Sequence, residues 1–143
     1  MLRLIVSGSR AWDRPAYVRS VLDGLLLAHG EMVLYLGMCP DGTDAASHAW
    51  YLDRQAAGAS VALAAFAVDV TLDGPWPAAG QRRNVRMVHS FAADVAGGGR
   101  RDAAEVHGFL RGRSPGTRGC LEAARRAGFQ PTVHRYEAVI PRG

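Results

Sequence analysis

Apolar positions follow two rhythms along the chain. Residues 2–7, an apolar and β-branched run, and 32–36, 60–68 and 105–110 read as strands, and 131–136 can form a last one. Between them the apolar positions recur with helical spacing. Val18, Val21, Leu22, Leu25 and Leu26 fall at i, i+3, i+4, i+7 and i+8, the stripe of a core-facing helix. Asp13 stands where it can cap that helix, Pro15 fits its first turn and Gly30 stops it. A second helix spans about 44–57, with Thr43 or Asp41 as cap and Gly58 as stop. A third covers 81–92, with Val85, Val88 and Phe91 or Ala92 inward and Arg82, Arg86 and His89 on an outer flank. A fourth runs over 117–127 and ends at Gly128. Residues 70–80, rich in Gly and Pro, and 111–116 read as loops, and 97–102 reads as a flexible insertion.

Strands alternating with helices predict a parallel sheet covered on both faces, a Rossmann-like, doubly wound three-layer α/β sandwich with a mainly parallel sheet. Residues 1–143 form a single domain in this reading. The first strand is expected at the centre, flanked by 32–36 and 105–110. Ligands of such sheets sit beyond the carboxyl ends of the strands. Three glycine-containing loops fall there, at Gly8–Arg10, Gly37–Asp44 and Arg111–Thr117.

Composition narrows the chemistry. Of 143 residues 48% are apolar and 21% charged, which suits a packed core. No apolar run approaches the roughly 20 residues of a membrane helix, and residues 1–6 lack the pattern of a signal peptide, so a cytoplasmic protein without membrane contact is expected. Cys39 and Cys120 are the only cysteines and the five histidines are scattered. Reduced thiols and no bound metal are expected. All 17 basic residues are arginines, on a net charge of +4. Without lysine, neither a Schiff base nor the lysine of a phosphate-binding P-loop is available. Arginine is the better bidentate phosphate partner, and the basic balance admits nucleic acid as a second partner class.

Four segments carry candidate chemistry. In Gly8-Ser9-Arg10 the glycine lets a ligand approach the backbone, and Ser9 and Arg10 can donate to phosphate; an ordinary turn has the same look. Gly37-Met38-Cys39-Pro40-Asp41-Gly42-Thr43-Asp44 joins a strand to a helix N-terminus, where amides and the helix dipole favour an anion. Thr43 stands where a P-loop has lysine, which disfavours triphosphate hydrolysis. Asp44 can accept from a ribose hydroxyl or cap the helix. Arg111-Gly112-Arg113-Ser114-Pro115-Gly116-Thr117 brings two arginines and small donors to another helix start, a second anion seat. Gln81-Arg82-Arg83-Asn84-Val85-Arg86-Met87 places positive charge at a helix start, where a bound anion would compensate it. Arg118, Glu122 and Arg126, spaced i, i+4 and i+8, look like a surface ion-pair network without function.

These segments, in this order over about residues 2–136, resemble the SLOG superfamily, in particular its small stand-alone YspA-like members. The LOG cytokinin enzymes, molybdenum-cofactor carrier proteins and the DprA domain belong to the same superfamily. The resemblance implies a Rossmann-like fold, binding of nucleotides or nucleotide-derived signals, and a sensor role. LOG enzymes cleave the N-glycosidic bond of nucleoside monophosphates with an arginine in an R-K-x-x-M stretch and a glutamate in P-G-G-x-G-T-x-x-E. Arg83 matches the arginine and is the tentative catalytic residue. The position three after Thr117 is Cys120, not glutamate, and Glu122 lies about 200° further round the helix. Departure of a ribose-bound base needs a carboxylate beside an oxocarbenium-like transition state. The expectation is therefore binding with little or no phosphoribohydrolase activity, a trace of which Cys120→Glu could raise.

The expected ligand is a nucleotide-type small molecule, with no resident cofactor. It is held by Gly8, Ser9, Arg10, Gly37, Gly42, Thr43, Asp44, Arg83, Asn84, Ser114, Gly116 and Thr117. Two other readings remain open. One is a nucleotide N-glycosidase working through another carboxylate such as Asp44. The other is DprA-like DNA binding, whose affinity would fall steeply with salt. A nicotinamide oxidoreductase ranks below these, because no G-x-G-x-x-G follows the first strand. A homo-oligomer is left open.

Overall fold

A computed structural model describes residues 1–98 and 102–136. Five strands, β1 (Leu2–Gly8), β2 (Glu31–Leu36), β3 (Ser60–Ala65), β4 (Ala103–Arg111) and β5 (Thr132–Tyr136), form one sheet in the order β3-β2-β1-β4-β5. Every pairing is parallel, with Ile5 opposite Tyr35 on one side and Val106 on the other. β1 is central and β2 and β4 flank it, as the strand pattern predicts. The helices are α1 (Pro15–His29), α2 (Gly42–Ala56), the short α3 (Val70–Asp73), α4 (Ala79–Gly98) and α5 (Pro115–Arg126).

The two faces of β1 feed two cores. Leu2, Leu4 and Val6 pack with Val18 and Leu22 of α1 and Trp50 of α2. Ile5, on the other face, packs with Met87, Val88 and Phe91 of α4 and Cys120 and Leu121 of α5. This is the doubly wound Rossmann-like α/β architecture. The chain runs outward from β1 through β2 to β3 with helices on one face. It then crosses the sheet through α4 to β4 on the other side of β1. The direction of winding reverses between β1 and β4, which makes the ends of these two strands the switch point.

Several local expectations are corrected. α1 starts at Pro15 with Arg14 as its N-cap, and Asp13 does not cap it. Arg14 precedes a proline and is pushed out of helical geometry, while the Asp13 carboxylate is taken up by Arg111 and the Tyr136 hydroxyl. Asp41 occupies the N-cap of α2 without a side-chain bond, and Thr43 lies inside that helix. Residues 70–73 are helical, because the Asp69 carboxylate accepts from the Thr71 amide. α4 begins two residues earlier and runs to Gly98; residues 99–101 of the expected insertion lie outside the described residues. Its buried stripe is Asn84, Met87, Val88 and Phe91, and Val85 is exposed. The stripe keeps i, i+3, i+4 and i+7 spacing, but a polar residue holds its first position. Glu122 pairs with Arg125 and Arg126, and the Arg118 contact in the expected network is not among its ion pairs. Among the described residues, no helix is long and apolar enough to cross a membrane.

Candidate functional site

A cleft of about 540 Å3 opens beyond the carboxyl ends of β1 and β4, within the roughly 300–1,000 Å3 typical of small-molecule sites. It brings together ten of the expected residues: Gly8, Ser9, Arg10, Gly37, Asp44, Arg83, Asn84, Ser114, Gly116 and Thr117. Gly42 and Thr43 are not in its lining. They hold the loops behind it. Gly42 has φ +63°, and a Cβ there would sit 2.2 Å from the Ser9 carbonyl oxygen. A Cβ on Gly8 would sit 2.1 Å from the buried Thr43 Oγ1. Gly42 thus lets the start of α2 meet the backbone of the loop after β1, and Gly8 makes room for the Thr43 side chain.

Ser9 is the knot of the cleft wall. Its amide donates to the Phe109 carbonyl at 2.8 Å, and its own carbonyl accepts from the Trp12 and Thr43 amides. Its hydroxyl accepts from the Arg111 amide at 2.9 Å and lies 2.6 Å from the Ser114 hydroxyl. Ser114 in turn donates to Thr117 Oγ1 at 3.3 Å. Each hydroxyl has one proton to give. Ser9 therefore donates to Ser114, Ser114 to Thr117, and the chain ends on the unspent proton of Thr117, a side chain lining the cleft. Ser114 is the N-cap of α5 but makes no side-chain cap bond, since its hydroxyl is engaged in this chain. The first intrahelical bond of α5 is Arg118 N–H to the Ser114 carbonyl. The Gly116 and Thr117 amides precede it and belong to the unsatisfied helix start.

α4 supplies the opposite wall. The Asn84 amide donates to the Gly116 carbonyl at 3.2 Å, and Gln81 donates to the Pro115 carbonyl at 3.2 Å. These bonds draw the polar Asn84 into the buried stripe. Arg83 does more structural work than its motif suggests. Its Nη1 donates to the carbonyls of Gly37 and Phe66, at the ends of β2 and β3, and its Nε donates to Asn84 Oδ1. Among the described residues Nη2 makes no hydrogen bond. Arg86, on the next turn, forms a fork with the buried Asp73 at 2.9 and 3.0 Å, and this holds α3 against α4. The Arg86 guanidinium and the Asp69 amide keep the Asp73 carboxyl down at about 2.

Asp44 neither caps α2 nor stands free. Its carboxylate accepts from the Cys39 amide at 2.9 Å across a loop in which Met38 has φ 61°, a strained left-handed conformation. Burial raises its pKa to about 6, against the pull of the Cys39 amide, Arg83 and Arg10. Below the unfolded value of 3.8 both states are protonated. Between 3.8 and about 6 the folded state keeps a proton that the unfolded chain releases, so stability falls as pH rises through that window. The full effect is on the order of 3 kcal/mol. Asp44→Asn keeps an oxygen for the Cys39 amide and removes the titration. It is expected to gain stability over the wild type at pH 7 and to match it near pH 4 in urea unfolding. An equal difference at both pH values would count against a buried, titrating Asp44.

Cys120, which the resemblance sets at the position of the LOG enzymes' glutamate, is fully buried in the α4–α5 core. Burial pushes its thiol up to about 11. A glutamate there would have to bury its carboxylate, so Cys120→Glu disrupts packing rather than restoring a catalytic group. Glu122 lines a separate hollow between α5 and β5. Cys39, Gln81 and Arg113 also line the cleft; they fall within the candidate segments but not among the expected ligand-holding residues, whereas Trp76 and Pro77 lie in the segment read only as a loop. An aromatic residue inside the Gly/Pro-rich segment 70–80 was the available signal for Trp76. Around the cleft stand three guanidiniums, Arg10, Arg83 and Arg113, and a single carboxylate, Asp44, among the described lining residues. That excess of positive charge, a helix start and the Thr117 hydroxyl suit a small anion.

Fold and cleft together define a Rossmann-like α/β protein with its pocket at the sheet's switch point. The chain belongs to the YspA, cpYpsA-related SLOG family, whose model matches residues 2–72. The match takes in the loops after β1 and β2 and stops short of Arg83 and Ser114. No curated protein and no solved structure matches the chain.

Proposed function

We propose that the cleft binds a nucleotide or nucleotide-derived small molecule, and that the protein acts as a cytoplasmic sensor of that ligand. The carrying observation is the anion-suited end of the cleft. Three guanidiniums and the start of α5 converge on a pocket at the β1/β4 switch point. Family membership supports a nucleotide-related ligand. In this reading the phosphate rests on Gly116, Thr117, Arg10 and Arg113. Asp44 accepts from a ribose hydroxyl.

A thermal-unfolding panel of nucleoside mono- and diphosphates tests the proposal. Binding at a hundred times Kd stabilises by about 2.7 kcal/mol, a clear rise in Tm. No shift with any member, and no nucleotide released from the denatured protein, would overturn it.

A hydrolytic reading is kept alive by one observation. Asp44 is the carboxylate of the cleft, and its pKa of about 6 suits proton transfer near neutrality. The Cys39 amide already engages it, however, and Cys120 supplies no second carboxylate. Incubated with AMP, the protein is expected to leave the nucleotide intact by chromatography. Release of adenine and ribose 5-phosphate at the ordinary enzymatic rate of about 1–10³ s⁻¹ would favour hydrolysis instead.

A further inference from the structure

Trp76 is a large apolar side chain at the mouth of a polar cleft, and it is 59% exposed. An indole left in water there has no role in either core; neither buried cluster includes it. Its position is nevertheless fixed. It lies against Gly80, where a Cβ would come 3.6 Å from the ring. The preceding segment is anchored through Asp73, which is tied to Arg86 of α4. The residue after Gly80 is Gln81, whose side chain holds the Pro115 carbonyl at the first turn of α5. Through Gly80 and Gln81 the indole and the anion seat therefore share one short stretch of α4. Pro77, also in the lining, adds a rigid apolar neighbour.

We infer that Trp76 is a stacking platform for an aromatic base, so that the ligand of the cleft is a purine nucleotide rather than a sugar phosphate. This rests on the proposed nucleotide-binding reading and narrows it. A largely exposed indole beside a cationic pocket is suited to a ligand with a flat ring at one end and a phosphate at the other. A ribose phosphate would fill the anion seat and leave the indole wet. A purine covers more of the ring than a pyrimidine does, which sets the expected order of affinity.

The chain has three tryptophans, and Trp12 and Trp50 are buried at 6% and 0% exposure. Trp76 is thus the exposed fluorophore, and stacking should quench it. AMP, CMP and ribose 5-phosphate are titrated by fluorescence and by calorimetry into wild type, Trp76→Phe and Trp76→Ala. AMP is expected to quench and to bind more tightly than CMP, with ribose 5-phosphate weakest and without quenching. Trp76→Ala should weaken AMP by about 5- to 100-fold, the usual range for losing one base-stacking contact, and leave ribose 5-phosphate unchanged. Trp76→Phe should lose the quench and keep AMP binding within several-fold. Because Trp76 is exposed and in a loop, both variants should fold, which their unfolding midpoints verify. Equal binding of AMP by wild type and Trp76→Ala, or ribose 5-phosphate binding as tightly as AMP, would overturn the stacking role while leaving a phosphate-binding cleft. Binding of neither AMP nor ribose 5-phosphate to the wild type would overturn both readings.

Discussion

Gly42→Ala is expected to destabilise the protein by about 3 kcal/mol or more and to abolish ligand binding. Two costs add at this position. A non-glycine residue at φ +63° costs roughly 1–2 kcal/mol. The new Cβ would also lie 2.2 Å from the Ser9 carbonyl oxygen and 2.7 Å from that of Arg10. Those atoms are backbone and cannot swing aside, so the loop after β1 must move, at a further cost of about 1–3 kcal/mol. Moving it pulls on Ser9, and with it on the hydroxyl chain through Ser114 to Thr117. Two other glycines separate the terms. Gly58 has φ +86° with nothing within 4 Å of a built Cβ, so Gly58→Ala carries only the conformational cost. Gly24 lies in α1 with open space around it, and Gly24→Ala should stabilise by about 0.5–1 kcal/mol. Chemical unfolding of the three variants should rank them Gly24→Ala, Gly58→Ala, Gly42→Ala from most to least stable. If Gly42→Ala is no worse than Gly58→Ala, the close approach of the two loops is not what glycine is needed for.

That ranking shows why the sequence pointed at Gly42 for a reason the structure revises. In G-x-x-x-x-G-x-D the second glycine looks like a place where a ligand meets the backbone. The partner it meets is Ser9, 33 residues earlier in the chain. Nothing local distinguishes a glycine that admits a phosphate from one that admits a neighbouring loop, because both need the same missing Cβ. The fold was more legible. Residues 32–36 are apolar on both faces and Ile5 adds an apolar side chain opposite Leu2, Leu4 and Val6, as a sheet covered twice requires, and the helical stripe from Val18 to Leu26 sits where its spacing puts it. α4 was harder to read. Val85 looked like a core residue by type, while the buried position is Asn84. The reason is tertiary: the Asn84 amide reaches the Gly116 carbonyl of α5 and accepts from Arg83. A side chain whose burial depends on partners 32 residues away carries no periodic signal. Trp76 escaped for a similar reason, since its place at the cleft is set by the α3–α4 connection and the Arg86–Asp73 pair.

Arg83→Ala is expected to weaken AMP binding by roughly 30-fold or more and to lower stability as well. The motif suggested a guanidinium that reaches for the ligand. In the fold, two of its nitrogens are engaged by the protein, Nη1 by the Gly37 and Phe66 carbonyls and Nε by Asn84. Truncation therefore strips donors from two strand ends and releases Asn84 from one partner. Hydrogen bonds of a charged donor contribute about 1.5–3 kcal/mol each. Removing one side of a buried charged contact typically costs about 2–5 kcal/mol of binding, which is 30-fold to several thousand-fold. Two mechanisms lead there, and three measurements separate them. If Nη2 touches the phosphate, Arg83→Ala loses far more affinity for AMP than for adenosine. If Arg83 acts only as a strut, both ligands weaken alike. Arg83→Lys can satisfy one carbonyl but not the fork, so it should recover part of the stability and little of the AMP preference. The positive charge of Arg83 also holds down the pKa of Asp44. In Arg83→Ala the pH window over which Asp44 destabilises the fold should extend above about 6, and in Arg83→Lys it should not. Arg126→Ala is the control. That side chain is 80% exposed and pairs with Glu122 at 3.5 Å, so its loss should change affinity by less than about threefold. Equal behaviour of Arg83→Ala and Arg126→Ala, in a protein whose wild type binds AMP, would remove Arg83 from the site and leave the anion seat to Arg10, Arg113 and the start of α5.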